Sequence, residues 1–361
     1  MLLPTLASFK FKFWPRGGIA VYALLRRYAM LIMKVLIAEL FWQHTEVLGT
    51  WIDYFCRRGD SVTIFYPELK KTPHNYIGIW SAIYGMNVNY DGFINVYEFD
   101  IIVVNTCDEN ILHRLRVFKK PIIAVNHYAA ASAAAAAAAS ASASAIYNIT
   151  VNPFGRQAGL KFVLPIAPAL AHILSANRRQ IPGPAKKIAI VGNSFMSMPA
   201  PLFKQLASIL AVAGWTLTAY LYSYNNIDEY VSEHVTVKSN CLAIDLFKEI
   251  NESRYILFYP APHHFFNQLS GSIVLSLFFG RPLLTLPDVL ARYNIECHYN
   301  LNDTSFLFKL LDEEYYRVAQ QHLDVRINEF IADGRRVLDS VVENIIAERA
   351  ANTMPAAPTC D

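Results

Sequence analysis

Cysteine, charge and several short signature motifs are scarce in this 361-residue chain. Each shortage closes off a class of protein. The five cysteines, Cys56, Cys107, Cys241, Cys297 and Cys360, are scattered, odd in number and without CxxC spacing. That excludes a zinc-finger or disulfide framework and fits reduced thiols in a cytosol-like compartment. Charged residues make up 17% and the formal net charge is only +3. There is thus no chain-wide basic footprint, no nucleic-acid partner is expected, and any basic contact with a ligand must be local. No GxGxxG follows the first strand of either half, which ranks a dinucleotide oxidoreductase low. No DxD triplet occurs and the His263-His264 pair lacks a third ligand at a defined spacing, so the expected metal complement is none. NxS/T triplets start at Asn148, Asn251 and Asn302, and they matter only in a secreted protein.

A clean membrane-spanning run is also missing. Residues 1–32 begin with LLPTLASFKFKFWPRGG, which is basic, aromatic and free of acidic residues, and continue as IAVYALLRRYAMLIM, broken by Arg26 and Arg27. A spanning helix wants about 20 apolar residues without central charges. The segment reads equally as a peripheral membrane contact, a targeting leader, or an upstream extension before a start near Met30 or Met33. The expected location is cytoplasmic, with membrane association through residues 1–32 as its variant.

What the chain does have is apolar residues, 54% of the total, in a repeating grammar. At this length two domains are expected. From Met33, KVLIAEL is a buried-strand run, HTEVLGTWIDYFCRRG has helical spacing through Val47, Trp51, Ile52 and Phe55, and SVTIFYP is the next strand. A loop or short helix over residues 70–92 precedes the strands DIIVVN and IIAVNH, giving four parallel strands whose carboxyl rim presents Glu39, Asn105 and His127. The Ala/Ser-rich tract at 129–145 reads as a rim loop, because it has no apolar period to define a buried face. The prolines of RRQIPGPAKK place a boundary near Pro182. KKIAIVGN, PLFKQLASILAVAG and TLTAYLYS then restart the pattern, and from Asp312 the chain reads helical to about Arg349 with a break near Asp333-Gly334. The expected division is an N-terminal Rossmann-like domain at 33–181, a second at 182–325, and a crossing helix and tail at 326–361.

The most informative stretch is INESRYILFYPAPHHFFNQLSGSIVLSLFFGRPLLTLP, residues 250–287: a strand, a Pro-punctuated loop with two histidines, a helix, a Gly-Arg-Pro stop and a buried strand. With KVLIAELFWQHTEVLG, the strand ending at His127 and the segment FVLPIAP, it resembles the GT-B type glycosyltransferases over most of residues 33–349. The resemblance implies two Rossmann-like domains facing a central cleft, with the C-terminal helix packing back on the first. It implies metal-independent transfer of a sugar from a nucleotide-diphosphate sugar to a hydroxyl acceptor such as a glycan, with no cofactor. It also implies that the loop and helix start at 263–272 hold the donor's diphosphate and sugar.

The residues carry independent physical sense. A helix N-terminus offers unpaired N–H groups to phosphate, and Ser270, Gly271 and Ser272 leave room for a close approach. Gly192, Asn193 and Ser194 form a second strand-to-helix cradle, and His263, His264 and Asn267 complete the donor-binding candidates. The paired glutamates of many retaining members are absent, because Asn267 and Leu275 stand at those positions. An inverting mechanism needs a general base, for which His127, Glu39, His44 and Glu46 are candidates at or beyond strand ends. His127 resembles the histidine that many family members place at the end of the equivalent strand. Lys186, Lys187, Lys204, Arg254 and Arg281 are the basic residues nearest in sequence to a diphosphate. A catalytically degenerate scaffold and a sugar-nucleotide epimerase are the alternatives.

Overall fold

The computed structural model describes residues 32–40, 44–67, 76–107, 109–127, 146–151, 160–167, 186–192, 194–221, 227–239, 241–260 and 270–353. The segment 1–31, the Ala/Ser tract, the proposed boundary near Pro182, and Asn193, His263, His264 and Asn267 lie outside them.

The central strands are short apolar runs because both of their faces are covered, and the edge strands are shorter or more polar. The first sheet contains β1 (Lys34–Ala38), β2 (Ser61–Phe65), β3 (Asn87–Asn89), β4 (Ile101–Val104), β5 (Ile122–Asn126), β6 (Ile146–Thr150) and β7 (Lys161–Phe162), in the order β3-β2-β1-β4-β5-β6-β7. The second contains β8 (Lys187–Val191), β9 (Thr216–Leu221), β10 (Val235–Ser239), β11 (Tyr255–Leu257), β12 (Leu283–Thr285) and β13 (Tyr299–Asn300), in the order β10-β9-β8-β11-β12-β13. All pairings are parallel. In each sheet the winding reverses beside the first strand, between β1 and β4 and between β8 and β11. Those two crevices at the carboxyl ends are where open sheets of this kind bind ligands.

The helices are α1 (Leu48–Arg58), α2 (Ile77–Tyr84), α3 (Glu109–Arg116), α4 (Ala200–Val212), α5 (Ala243–Glu252), α6 (Gly271–Phe279), α7 (Pro287–Ala291), α8 (Phe306–Leu311) and α9 (Glu313–Thr353). None of the described helices is long and apolar enough to cross a membrane. Gly59 and Gly280 end α1 and α6 in the left-handed conformation, as their places after the apolar periods predict. One apolar core runs through both halves. Trp80 of α2 meets Phe278 of α6 edge-on at 6.0 Å between ring centroids, and Tyr76 meets Phe247 of α5 at 5.3 Å.

Two expectations change. The first sheet has seven strands rather than four: 70–92 yields both α2 and the edge strand β3, and YNITVN and KF extend the other side. The helix expected to break at Asp333-Gly334 is continuous from Glu313 to Thr353. Gly334 serves close packing instead of a turn, since a Cβ there would lie 3.1 Å from Val163 Cγ1. Asp333 pairs with Arg336 one turn on and so suits a helix. Helix α9 packs back on the first half through Tyr54 Oη donating to Asp339 Oδ1 at 2.8 Å, Lys161 Nζ to Ser340 Oγ at 3.0 Å and Arg349 to Asp100 at 2.8 Å.

Candidate active site

Glu39 follows β1 directly, at the first sheet's switch point, and is fully buried. A carboxylate there must be compensated by hydrogen bonds. Asn105 and Thr106, which follow β4, supply them: Asn105 Nδ2 and Thr106 Oγ1 (3.1 Å) both donate to Glu39 Oε2. Asn105 is itself fixed, because Trp51 Nε1 of α1 donates to its Oδ1 at 2.7 Å and its Nδ2 also donates to the carbonyl of His44 at 3.0 Å. Glu39 therefore ties the ends of β1 and β4 to the loop that carries His44.

His127 follows β5. Its Nε2 lies 2.6 Å from the carbonyl oxygen of Asn105, which assigns the proton to that nitrogen as donor. The imidazole of His44 stacks on it, with centroids 4.2 Å apart and planes 22° from parallel. On its other side His44 Nδ1 stands 3.8 Å from Glu46 Oε1. These environments drive the two rings apart. Burial works against a charge on His44, but attraction from Glu46 and then from Glu39 outweighs it and raises its pKa above the ordinary 6.5. His127 is held well below that value by complete burial and by the adjacent His44, against which the Asn105 carbonyl is the weaker effect. The two stacked imidazoles thus differ in proton affinity, with His44 the more readily protonated and His127 favoured neutral.

The second half meets this group from across the cleft. Ser270 caps α6 by accepting from the N–H of Ser272 at 3.3 Å, and Ser272 Oγ donates to the Val191 carbonyl at the end of β8 at 2.9 Å. The start of α6 is therefore fastened beside Gly192, whose φ of 72° places it in the left-handed region. Glu46 Oε1 lies 3.5 Å from the point a Cβ on Gly271 would occupy. The structure thus brings together Glu39, His44, Glu46 and His127 from the first half with Ser270, Gly271 and Ser272 from the second. Ser194 opens a short 3-10 turn, Ser194–Ser197, after the same β8.

Four of the five basic residues assigned to a diphosphate are elsewhere. Lys187 begins β8 and pairs with Glu249, while Lys186 Nζ donates to the Ala213 carbonyl at 3.4 Å. Arg254 precedes β11 and grips Glu313 through two hydrogen bonds, of 2.5 and 2.7 Å, with its guanidinium 4.0 Å above the ring of Tyr316. Arg281 precedes β12 and donates to the Asn251 carbonyl. All four stand at the amino edge of a parallel sheet, opposite the crevice. Lys204 is exposed on α4. Leu275 is buried in the shared core, so its position has no room for the charge that a paired-glutamate enzyme would place there.

Sequence reasoning missed Trp51 and Thr106, which carry no motif and act only through contacts with Asn105 and Glu39. It also missed a group with metal-ligand geometry, Glu296, His298 and His322, at the amino edge of the second sheet.

Two parallel, doubly wound halves face each other through their carboxyl edges, and a C-terminal helix returns to the first: this is the GT-B architecture of glycosyltransferases. Among solved structures, a glycosyltransferase from Rickettsia africae aligns with 87% of this chain and 99% of its own at a TM-score of 0.52 and 9% identity. The glycosyltransferase SnogD from Streptomyces nogalater aligns with 86% of this chain and 99% of its own at 0.51 and 13% identity. No protein-family model matches the sequence, and neither does any curated protein.

Proposed function

We propose that the protein transfers a sugar from a nucleotide-diphosphate sugar to a hydroxyl acceptor by single displacement. The observation that carries this reading is the approach of the His44–Glu46 pair to the N-terminus of α6, with Glu46 Oε1 3.5 Å from the Cβ position of Gly271. A proton acceptor from one half and an anion-binding helix start from the other are the two parts such a reaction needs.

In this mechanism His44, its Nδ1 held by Glu46, takes the acceptor's hydroxyl proton at Nε2. The acceptor oxygen bonds to the anomeric carbon while the bond from that carbon to the diphosphate oxygen breaks, with inversion. The nucleoside diphosphate leaves with the bonding electrons, and the N–H groups opening α6 and the turn at Gly192 receive its charge. Glu46 stabilises the imidazolium formed on His44. His127 keeps the His44 ring in place, and Glu39 holds the loop through Asn105.

The test is a panel of UDP, GDP, ADP and CMP sugars, followed by nucleotide release and by thermal shift with hydroxyl acceptors present. His44→Ala is expected to keep the thermal shift and to lose about 100-fold or more in release, the scale of a missing general base. Absence of any nucleotide-sugar binding would overturn the reading. Binding without release would leave the scaffold, and epimer formation without an acceptor the epimerase.

A further inference from the structure

Helix α9, the loop before β13 and the end of α6 border an open cavity of about 560 Å³, lined by Ser276, Leu283, Leu290, Ala319 and Leu323 among others. Glu296, His298 and His322 line it too. Their ligand atoms form a closed triangle: His322 Nδ1 is 3.1 Å from both Glu296 Oε2 and His298 Nε2, and the last two are 3.7 Å apart. Three ligand atoms this close crowd the lone pairs of two imidazoles and a carboxylate onto one point, which a single shared N–H offsets only in part. Donor atoms bound to one ion at about 2.0–2.2 Å, by contrast, stand roughly 3.0–3.5 Å from one another in octahedral or tetrahedral geometry.

We infer that Glu296, His298 and His322 bind one divalent first-row transition-metal ion, with zinc as the reference ion. Two imidazoles and one carboxylate are a ligand set that such ions accept, and three protein ligands leave at least one position for water. The site is also braced. The main-chain oxygen of His298 accepts from Tyr315 Oη of α9 at 2.9 Å, and its ring packs edge-on against Tyr315. Cys297, between the two loop ligands, is turned away and donates to the Thr285 carbonyl at 3.8 Å. Side chains of Glu296 and His322 are 65% and 52% exposed, so an ion reaches them from solvent. Because two ligands precede β13 and the third is on α9, the ion would clamp that helix to the second sheet.

Full-length protein stripped of metal by chelation is titrated with Zn²⁺ against a chromophoric chelator, and with Co²⁺ followed by visible absorption. One tight equivalent is expected, with the d–d bands of nitrogen and oxygen ligation. Loss of an outer partner alone weakens such sites by about 10–100-fold, so His322→Ala should weaken Zn²⁺ binding by about 100-fold or more and Glu296→Gln by at least about tenfold. Both substitutions are at exposed side chains, and circular dichroism checks that the fold is retained. Wild-type affinity in both variants, no binding by the parent, or a thiolate-to-cobalt charge-transfer band would each overturn the site.

Discussion

His44 sits between a histidine that cannot afford a charge and a glutamate that favours one. This placement sets a measurable pH dependence. Its pKa is raised, so the base form needed to accept a proton accumulates only as pH climbs through a value above the ordinary 6.5. With a transferable donor and acceptor, kcat/KM should therefore rise with pH and level off above that inflection. Glu46→Gln removes the main charge that favours the imidazolium, so the inflection should move down in pH while the plateau falls. An inflection unmoved by Glu46→Gln would assign the titration to another group. Glu39, Asn105 and His127 were legible as rim residues because each follows an apolar run. Arg254 was not, since the partner that takes its charge, Glu313, is 59 residues away.

At the scale of elements, the packing of α1 on α2 decides where the His44 loop stands. Gly49 in the first turn of α1 lies against the ring of Trp80, and a Cβ there would come within 2.6–2.8 Å of Cη2, Cζ2 and Cζ3. Trp80 cannot retreat: it is fully buried, donates from Nε1 to the Thr45 carbonyl at 2.8 Å, and meets Phe278 of the other half. Gly49→Ala gains about 1 kcal/mol of helix propensity but overpacks a rigid site, at a cost of typically 1–3 kcal/mol. The expected result in urea denaturation is net destabilisation, and an equal or higher midpoint would show that α1 and α2 can part. Apolar runs and glycine stops made the strands and most helix ends legible. The reading failed at Gly334, where a residue that so often signals a turn answers a contact with Val163, which no local pattern encodes.

For the whole molecule, the two-half architecture could be read from the restart of the strand-helix grammar after the proline-rich linker. The return of the C-terminal helix onto the first half was implied by the family resemblance, but the residues that join the halves were not legible, because Trp80–Phe278, Tyr54–Asp339 and Asp100–Arg349 are contacts between residues 198, 285 and 249 positions apart. Two of them depend on α9. Combining Asp339→Ala with Arg349→Ala should speed amide exchange in the last turns of α9, residues 341–349. Exchange at 313–325 should be unchanged, since the Arg254–Glu313 grip is intact there. Uniform exchange along the helix after the double substitution would mean that the first half does not hold its far end.

The 41 uninterrupted residues of α9 span roughly 60 Å. A rod of that length, gripped by the second half at Glu313 and by the first at Asp339 and Arg349, resists being folded. Gly334 lies close against Val163, between those two grips, and adds a third place where the rod bears on the molecule. Opening the cleft widely would require the rod to buckle, whereas a small rotation of one half about the rod's axis would not. Relative motion of the halves is thus expected to be a twist, with the Gly271 end of α6 swinging past Glu46 rather than lifting away from it.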